Sequence, residues 1–304
     1  MPSFISVCLR AQIRLFKRLT TKISLQNVRT AQDKVGHLGA KVLSGKVSAE
    51  KIEGLGFDAE FIAPVKDFDE SDKRIILYLH GGGYTCGSIS YAEGFGSVLA
   101  AKVGIKTLCA AYRLAPENPF PAAVEDAFEA YKYLLENGYE SKNIYVVGES
   151  AGGGLCFSLC LMLKEKEMEL PAKIVAISPW SDLTFSGGSH KYNEKKDPTL
   201  SGELLRYYAA AYAPDEAENV LASPIFGDLS NMPPSLIFVG SREILLDDSK
   251  VLAEKLTASG SKCSLVVEEG LWHVYPLFAI PEAAEAIDKI KAFLELEDEK
   301  QKRK

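Results

Sequence analysis

The sequence is poor in the features that mark several whole classes of protein. Its six cysteines, Cys8, Cys86, Cys109, Cys156, Cys160 and Cys263, are scattered, and none forms a C-x-x-C pair. That spacing argues against a structural zinc site or other metal and against a disulfide framework, and it suits a reducing, cytoplasmic compartment. Cys156 and Cys160 lie one helical turn apart and read as packed core thiols. No window approaches the roughly 18 consecutive apolar residues of a transmembrane helix, so no membrane insertion is expected. Cationic charge is not in excess, with 35 Lys and Arg against 41 Asp and Glu, and a net charge of −6 offers no field for nucleic acid. Histidine is scarce, and His37, His80, His190 and His273 are the four in the chain.

One local absence stands out. Residues 1–32 contain no acid but carry Arg10, Arg14, Lys17, Arg18, Lys22 and Arg29. A transit peptide has this composition, and so does a basic surface helix; a secretory signal would need a continuous apolar stretch that is missing. The expected form is an amphipathic helix with Ile13, Leu15, Phe16 and Leu19 on its buried side.

What is present points to one large α/β domain, or to such a domain with a small accessory one. The chain has 304 residues, 47% of them hydrophobic and 25% charged, enough to bury a sizeable core. From residue 74 onward, short runs rich in β-branched residues alternate with helical patterns. The strand candidates are 74–80, 106–112, 143–148, 173–178, 235–240 and 262–269. Most are almost wholly apolar, as strands of a parallel sheet covered on both faces must be. Helical stretches at 122–138, 151–167, 248–260 and from about Pro281 onward separate and follow them, which predicts a doubly wound sheet. The charged tail EDEKQKRK closes the chain. Two regions break the alternation: residues 1 to about 50, which look helical, and residues 181 to about 215, a polar loop followed by a helix.

Three motifs carry chemistry. GESAGGG, Gly148 to Gly154, has the form G-x-S-x-G and falls where a buried strand meets a helix. A turn that tight lifts the Ser150 hydroxyl above the sheet edge, beside the positive end of the helix. HGGGY, His80 to Tyr84, follows the strand at 74–79. Three glycines let backbone N–H groups approach an oxygen on which negative charge develops, each donor being worth about 2.7–4 kcal/mol in the transition state of acyl transfer. No Lys-Ser/Thr follows, so the run is not a phosphate-binding P-loop. His80 reads as a brace for this loop rather than a proton carrier. EGLWHVYP, Glu269 to Pro276, places His273 after a late strand, on the side of the sheet where Ser150 emerges. A third partner belongs beyond the strand 235–240, where Glu243, Asp247 and Asp248 all stand; the two aspartates also suit the start of the helix that follows.

HGGG, YRLAPE (Tyr112–Glu117), FPAAVEDA (Phe120–Ala127), GESAGG, SPWSDLT (Ser178–Thr184) and LWHVYP occur in that order between residues 80 and 276. Together they resemble the hormone-sensitive-lipase-like, or family IV, carboxylesterases of the α/β-hydrolase superfamily. The resemblance implies an α/β-hydrolase fold with a mostly parallel sheet, helices on both faces and a small helical cap. It implies Ser150 as nucleophile, His273 as general base, and the N–H groups of Gly82, Gly83 and Ala151 as oxyanion donors. The family writes the acid region as D-P-L-x-D with the first Asp catalytic. Aligning Leu245 and Asp247 with it puts Glu243 in that slot, a departure in residue type that the fold accepts, with Asp247 as the alternative.

The resemblance also implies a cap made from residues 1–50 and the insertion at about 181–215, with residues 51–304 forming the catalytic domain. YRLAPE and Asp126 are structural in the family. Tyr84, Trp180 and Tyr208, with Tyr207 and Tyr212, are candidates for the substrate pocket, although aromatics also serve as plain core. The implied activity is hydrolysis of short-chain acyl esters through an acyl-enzyme, with a small-molecule ester as substrate and without metal or organic cofactor. An amidase or deformylase would use the same triad, and a small-molecule receptor on this fold would have lost catalytic residues that are intact here. Oligomeric state, a homodimer included, is not legible in the sequence.

Overall fold

The computed structural model describes residues 1–19, 24–66 and 68–296; the charged tail expected after the last helix lies outside the described residues. Two helices, α1 (Phe4–Leu19) and α2 (Leu25–Leu43), precede an antiparallel strand pair, β1 (Val47–Ile52) and β2 (Asp58–Pro64). The alternation then begins with β3 (Ile75–Leu79), α3 (Ile89–Val98), β4 (Thr107–Ala111), α4 (Ala122–Glu136), β5 (Ile144–Glu149), α5 (Ala151–Glu165) and β6 (Lys173–Ile177). After β6 come the short α6 (Ser189–Tyr192) and α7 (Gly202–Tyr212), and then β7 (Ser235–Gly240), α8 (Leu246–Ala258), β8 (Cys263–Glu268) and α9 (Pro281–Glu295).

The eight strands form one sheet in the order β1-β2-β4-β3-β5-β6-β7-β8. The pairs β1–β2 and β2–β4 are antiparallel, and every pair from β4 to β8 is parallel. All six expected strands are present. The pair β1–β2 was not among them: the outer strand β1 has four exposed residues in a row and so lacks an apolar signal.

Side chains of successive strand residues point to opposite faces, so continuous apolar strands feed two cores. Ile75, Leu77 and Leu79 join Val146, Ala176 and Ile237 in one core, with residues of α4, α5 and α8. Ile76 and Tyr78 join Val147, Val175, Ile177 and Phe238 in the other, with residues of α3 and α9. The order of strand addition reverses at β3, with β4 added on one side of it and β5 on the other. In such a sheet the crevice beyond the carboxyl ends of the strands at the reversal is where ligands bind.

Helix α1 docks by a face that includes Ile13, as expected, but not Leu15. Arg10 donates to the Gly270 carbonyl at 2.7 Å, Arg14 to those of Lys195 and Lys196 at 3.2 and 2.9 Å, and Lys17 to those of Asp197 and Leu200. These cations, spaced along one helix face, turn that face inward to the carbonyls of Gly270 and of the 195–200 segment. Leu15 is consequently 61% exposed rather than buried, while Ile13 is half-buried against the core; the side chains of Phe16 and Leu19 lie outside the described residues. Among the described residues, no helix is long and apolar enough to cross a membrane.

Candidate active site

Ser150 stands between β5 and α5 with φ +55° and ψ −120°, its own N–H donating to the Ile177 carbonyl at 2.8 Å. A turn this sharp presses α5 against the end of β3: a Cβ at Gly152 would lie 2.0 Å from the Leu79 carbonyl oxygen, so no other residue fits. Backbone in the left-handed region clusters here. Of seven non-glycine residues with positive φ among the described residues, Tyr84, Ser150, Ser178 and Val274 surround one point at the end of the sheet. Strain of this kind, about 1–3 kcal/mol per residue, persists where the surroundings over-determine it and marks functional sites.

His273, from the loop after β8, lies with Nε2 2.9 Å from Ser150 Oγ and Nδ1 2.8 Å from Glu243 Oε2. The other Glu243 oxygen accepts from Ser178 Oγ at 2.9 Å and from the Gly240 N–H at 2.5 Å, and Ser178 Oγ in turn accepts from the Val274 N–H. Ser150, Glu243 and His273 are all buried. Burial pushes the Glu243 carboxyl above the usual range, while the His273 hydrogen bond and charge pull it back. A fixed carboxylate on Nδ1 selects the tautomer in which Nε2 is free to take a proton from Ser150.

Neither aspartate of the 243–248 stretch faces His273. Asp247 accepts from the Ser189 N–H and the Tyr192 hydroxyl, and Asp248 Oδ1 lies 3.0 Å from His190 Nε2. Both sit in the first turn of α8, as expected of them, and tie it to α6. Burial raises Asp248 to about 6, against the pull of His190.

The glycine loop lies against the serine turn, since a Cβ at Gly81 would come within 3.1 Å of Ser150 Cβ. Gly82 and Gly83 have φ +113° and +62°, and a Cβ on Gly83 would strike the Tyr208 ring at 2.2 Å. Beneath the loop, buried Glu149 accepts from the Gly81 N–H (2.6 Å), Tyr78 Oη (2.8 Å) and Tyr91 Oη (3.0 Å). Burial raises its carboxyl to about 7 against those three donors. His80 turns Nδ1 to the Gly81 carbonyl at 2.7 Å and stacks on Tyr112; burial lowers it to about 4, which keeps it neutral. Arg113 grips Asp126 through its backbone N–H, Nε and Nη2. Among the described residues, no three His, Cys, Asp or Glu are grouped to hold a metal.

The chain resembles proteins of known type over most of its length. The family model described as "alpha/beta hydrolase fold" matches residues 76–277. An acetyl-hydrolase of Streptomyces hygroscopicus is 38% identical over 239 residues, covering 78% of this chain and 79% of the relative. An esterase of Acinetobacter venetianus is 35% identical, over 73% and 75% of the two chains. The crystal structure of EstE5, described as soaked with ethyl alcohol, superposes with a TM-score of 0.90 at 33% identity, over 96% and 98%. A hormone-sensitive lipase from a metagenome library superposes with a TM-score of 0.87 at 30% identity, over 95% and 97%. The chain belongs to the hormone-sensitive-lipase-like esterases of the α/β-hydrolase superfamily.

In this esterase the three aromatics named for the pocket sit differently from one another. Tyr84 and Trp180 are fully buried, Tyr84 stacked on Tyr212 at 3.8 Å between ring centres. Tyr208 alone of the three packs its ring on the glycine loop. Several further residues that shape the site carry no motif. Ser178 braces Glu243; Asn193 Nδ2 holds the carbonyls of Ser241 and Glu243 at 3.0 Å each; Asp197 accepts from the Ile244 N–H at 3.0 Å. The run SPWSDLT marked the neighbourhood of Ser178 but not its role, and nothing in the sequence marks Asn193 or Asp197.

Proposed function

We propose that the esterase hydrolyses short-chain carboxylic esters in two steps, with Ser150 as nucleophile, His273 as general base and then acid, and Glu243 as the carboxylate that orients His273. The observation that carries this reading is the relay Ser150 Oγ–His273 Nε2, 2.9 Å, and His273 Nδ1–Glu243 Oε2, 2.8 Å. His273 takes the Ser150 proton as Oγ attacks the acyl carbon, and Glu243 stabilises the imidazolium that forms. The N–H groups of Gly82, Gly83 and Ala151 receive the developing oxyanion. The alcohol leaves with the proton from His273, and water then attacks the acyl-Ser150 by the same route.

Two features support a short acyl group. The bulky Tyr208 ring packs directly against Gly83 of the oxyanion loop. Among the relatives are an acetyl-hydrolase and an ethyl acetate hydrolase. We assign α1, α2 and the insertion at about 181–215 to a cap, supported by the bonds from Arg14 and Lys17 of α1 to the insertion. Hydrolysis of p-nitrophenyl acetate, butyrate and decanoate, with butyranilide as the amide match, tests the reading. The esters of two and four carbons should turn over fastest and the anilide at least about 100-fold more slowly; Ser150→Ala should abolish both turnover and fluorophosphonate labelling. A native protein that neither turns over the esters nor takes the label would overturn it.

A further inference from the structure

Helix α2 reaches the oxyanion loop with one side chain. Arg29 donates from Nε to the Thr85 carbonyl at 2.7 Å and from Nη2 to the Ala115 carbonyl at 2.8 Å. Its two Nη atoms also form a fork on Glu117, at 2.8 and 2.7 Å. The guanidinium group is thus spread over three partners, with a side chain only 17% exposed. Arg29 in turn holds the Glu117 carboxyl low, at about 2.

What it holds is strained. Gly82, Gly83 and Tyr84 run consecutively with positive φ, and Thr85 comes next. The Tyr84 carbonyl accepts from the Ala115 N–H at 2.9 Å, so the Ala115 peptide links to the loop on one side and to Arg29 on the other. The Thr85 and Cys86 N–H groups fold back onto the Gly82 carbonyl at 3.1 and 3.0 Å. Moving Thr85 therefore moves the peptide planes of Gly82 and Gly83. Glu149 fixes the loop from below at Gly81, and Arg29 fixes it from the far end. Helix α2 continues along the same segment, with Asp33 accepting from Ser88 Oγ at 2.8 Å and Gly36 pressed on the backbone of Ser90 and Tyr91.

We propose that Arg29 is a positioning residue for the oxyanion donors: its planar fork locks Thr85, Ala115 and Glu117 together and sets the aim of the Gly82 and Gly83 N–H groups. Helix α2 is then, through Arg29, part of the catalytic frame and not only a cover over it. A lysine would keep the charge, but its single ammonium cannot serve three partners in one plane. The inference rests on the esterase reading above.

The test compares Arg29→Lys and Arg29→Met with the native enzyme, and uses Ser88→Ala as a control that loosens α2 without touching the loop carbonyls. Three quantities are read per folded molecule: kcat and KM for p-nitrophenyl acetate, and the inhibition constant of an aryl trifluoromethyl ketone, whose adduct with Ser150 needs the same donors. Misaimed donors should lower kcat about 10- to 100-fold with KM within about twofold, and weaken the ketone in step with kcat/KM. Ser88→Ala should lower the melting temperature and leave kcat unchanged. If the Arg29 variants melt earlier but keep native kcat and ketone affinity, Arg29 is merely structural and the inference is overturned. Should Arg29→Met not fold, Arg29→Lys decides by the same readings. A native enzyme without esterase turnover or fluorophosphonate labelling would instead bring down the reading on which the inference rests.

Discussion

A glutamate proposed as the triad acid has one more methylene to accommodate than an aspartate, and two donors keep the Glu243 side chain in one pose. Ser178 Oγ and the Gly240 N–H occupy Oε1, which leaves Oε2 for His273 Nδ1. Glu243→Gln keeps the shape but favours the wrong imidazole tautomer, so kcat should fall by about 10³–10⁴-fold with KM little changed. Asp247→Asn weakens the tie to Ser189 and Tyr192 and should cost about 1 kcal/mol of stability, read by urea unfolding, with kcat intact. The reverse pair of outcomes would move the acid to Asp247. At this scale Ser150 and His273 were legible because short motifs surround them, and Glu243 because a family pattern aligned it. Ser178 and Asn193 were not, because they meet the acid loop across 65 and 50 residues of chain. Glu149 sits inside a motif, yet its partner Gly81 is 68 residues away and its task appears only once β3 and β5 are paired.

Among the elements, the strand–turn–helix of β5 and α5 was the most legible, since its glycines, its apolar strand and its helix agree with one another. Its tolerance is correspondingly small. Gly to Ala inside a helix normally gains about 1 kcal/mol. At Gly152 the added Cβ would meet backbone oxygen of Leu79 and His80, at 2.0 and 2.4 Å, which cannot swing aside as a side chain would. Gly152→Ala should therefore destabilise by more than about 2 kcal/mol in urea unfolding and displace Ser150 enough to depress kcat; a neutral or stabilising effect would mean that α5 is not seated as described. Helix α1 was less legible, because hydrophobic periodicity identified the helix but not the face by which it docks. Backbone carbonyls of a distant insertion and of the loop after β8 attract its cations, and nothing local in the sequence shows them. Leu15→Gln should accordingly change stability by no more than about 0.5 kcal/mol, whereas Ile13→Gln should cost clearly more. Strands β1 and β2 escaped notice for a related reason: an edge pair exposes its residues, and a weak alternation does not separate strand from helix.

At the scale of the whole molecule, groups packed behind the site contribute to the response to pH, and they pull in opposite directions. His80 is lowered to about 4 by burial, so between its unfolded value of 6.5 and pH 4 the unfolded chain binds the proton first and stability falls as pH falls. Glu149, raised to about 7 from 4.5, and Asp248, raised to about 6 from 3.8, act the other way. The folded state holds their protons more tightly, so each removes stability as pH rises through those windows. From pH 4.5 to 6 all three windows overlap and partly cancel; from 6.5 to 7 only the carboxyl loss remains, and below 4.5 the His80 loss continues while that of Glu149 is over. His80→Gln isolates one of the opposing groups. The variant gives up the stack on Tyr112 at every pH, but it has no proton to bind in acid. The stability gap between native protein and variant should therefore shrink by about 3 kcal/mol as pH falls from 6.5 to 4. Urea unfolding at four or five pH values across that range measures it. Parallel curves would show that the ring behind the glycine loop is not the acid-sensitive group.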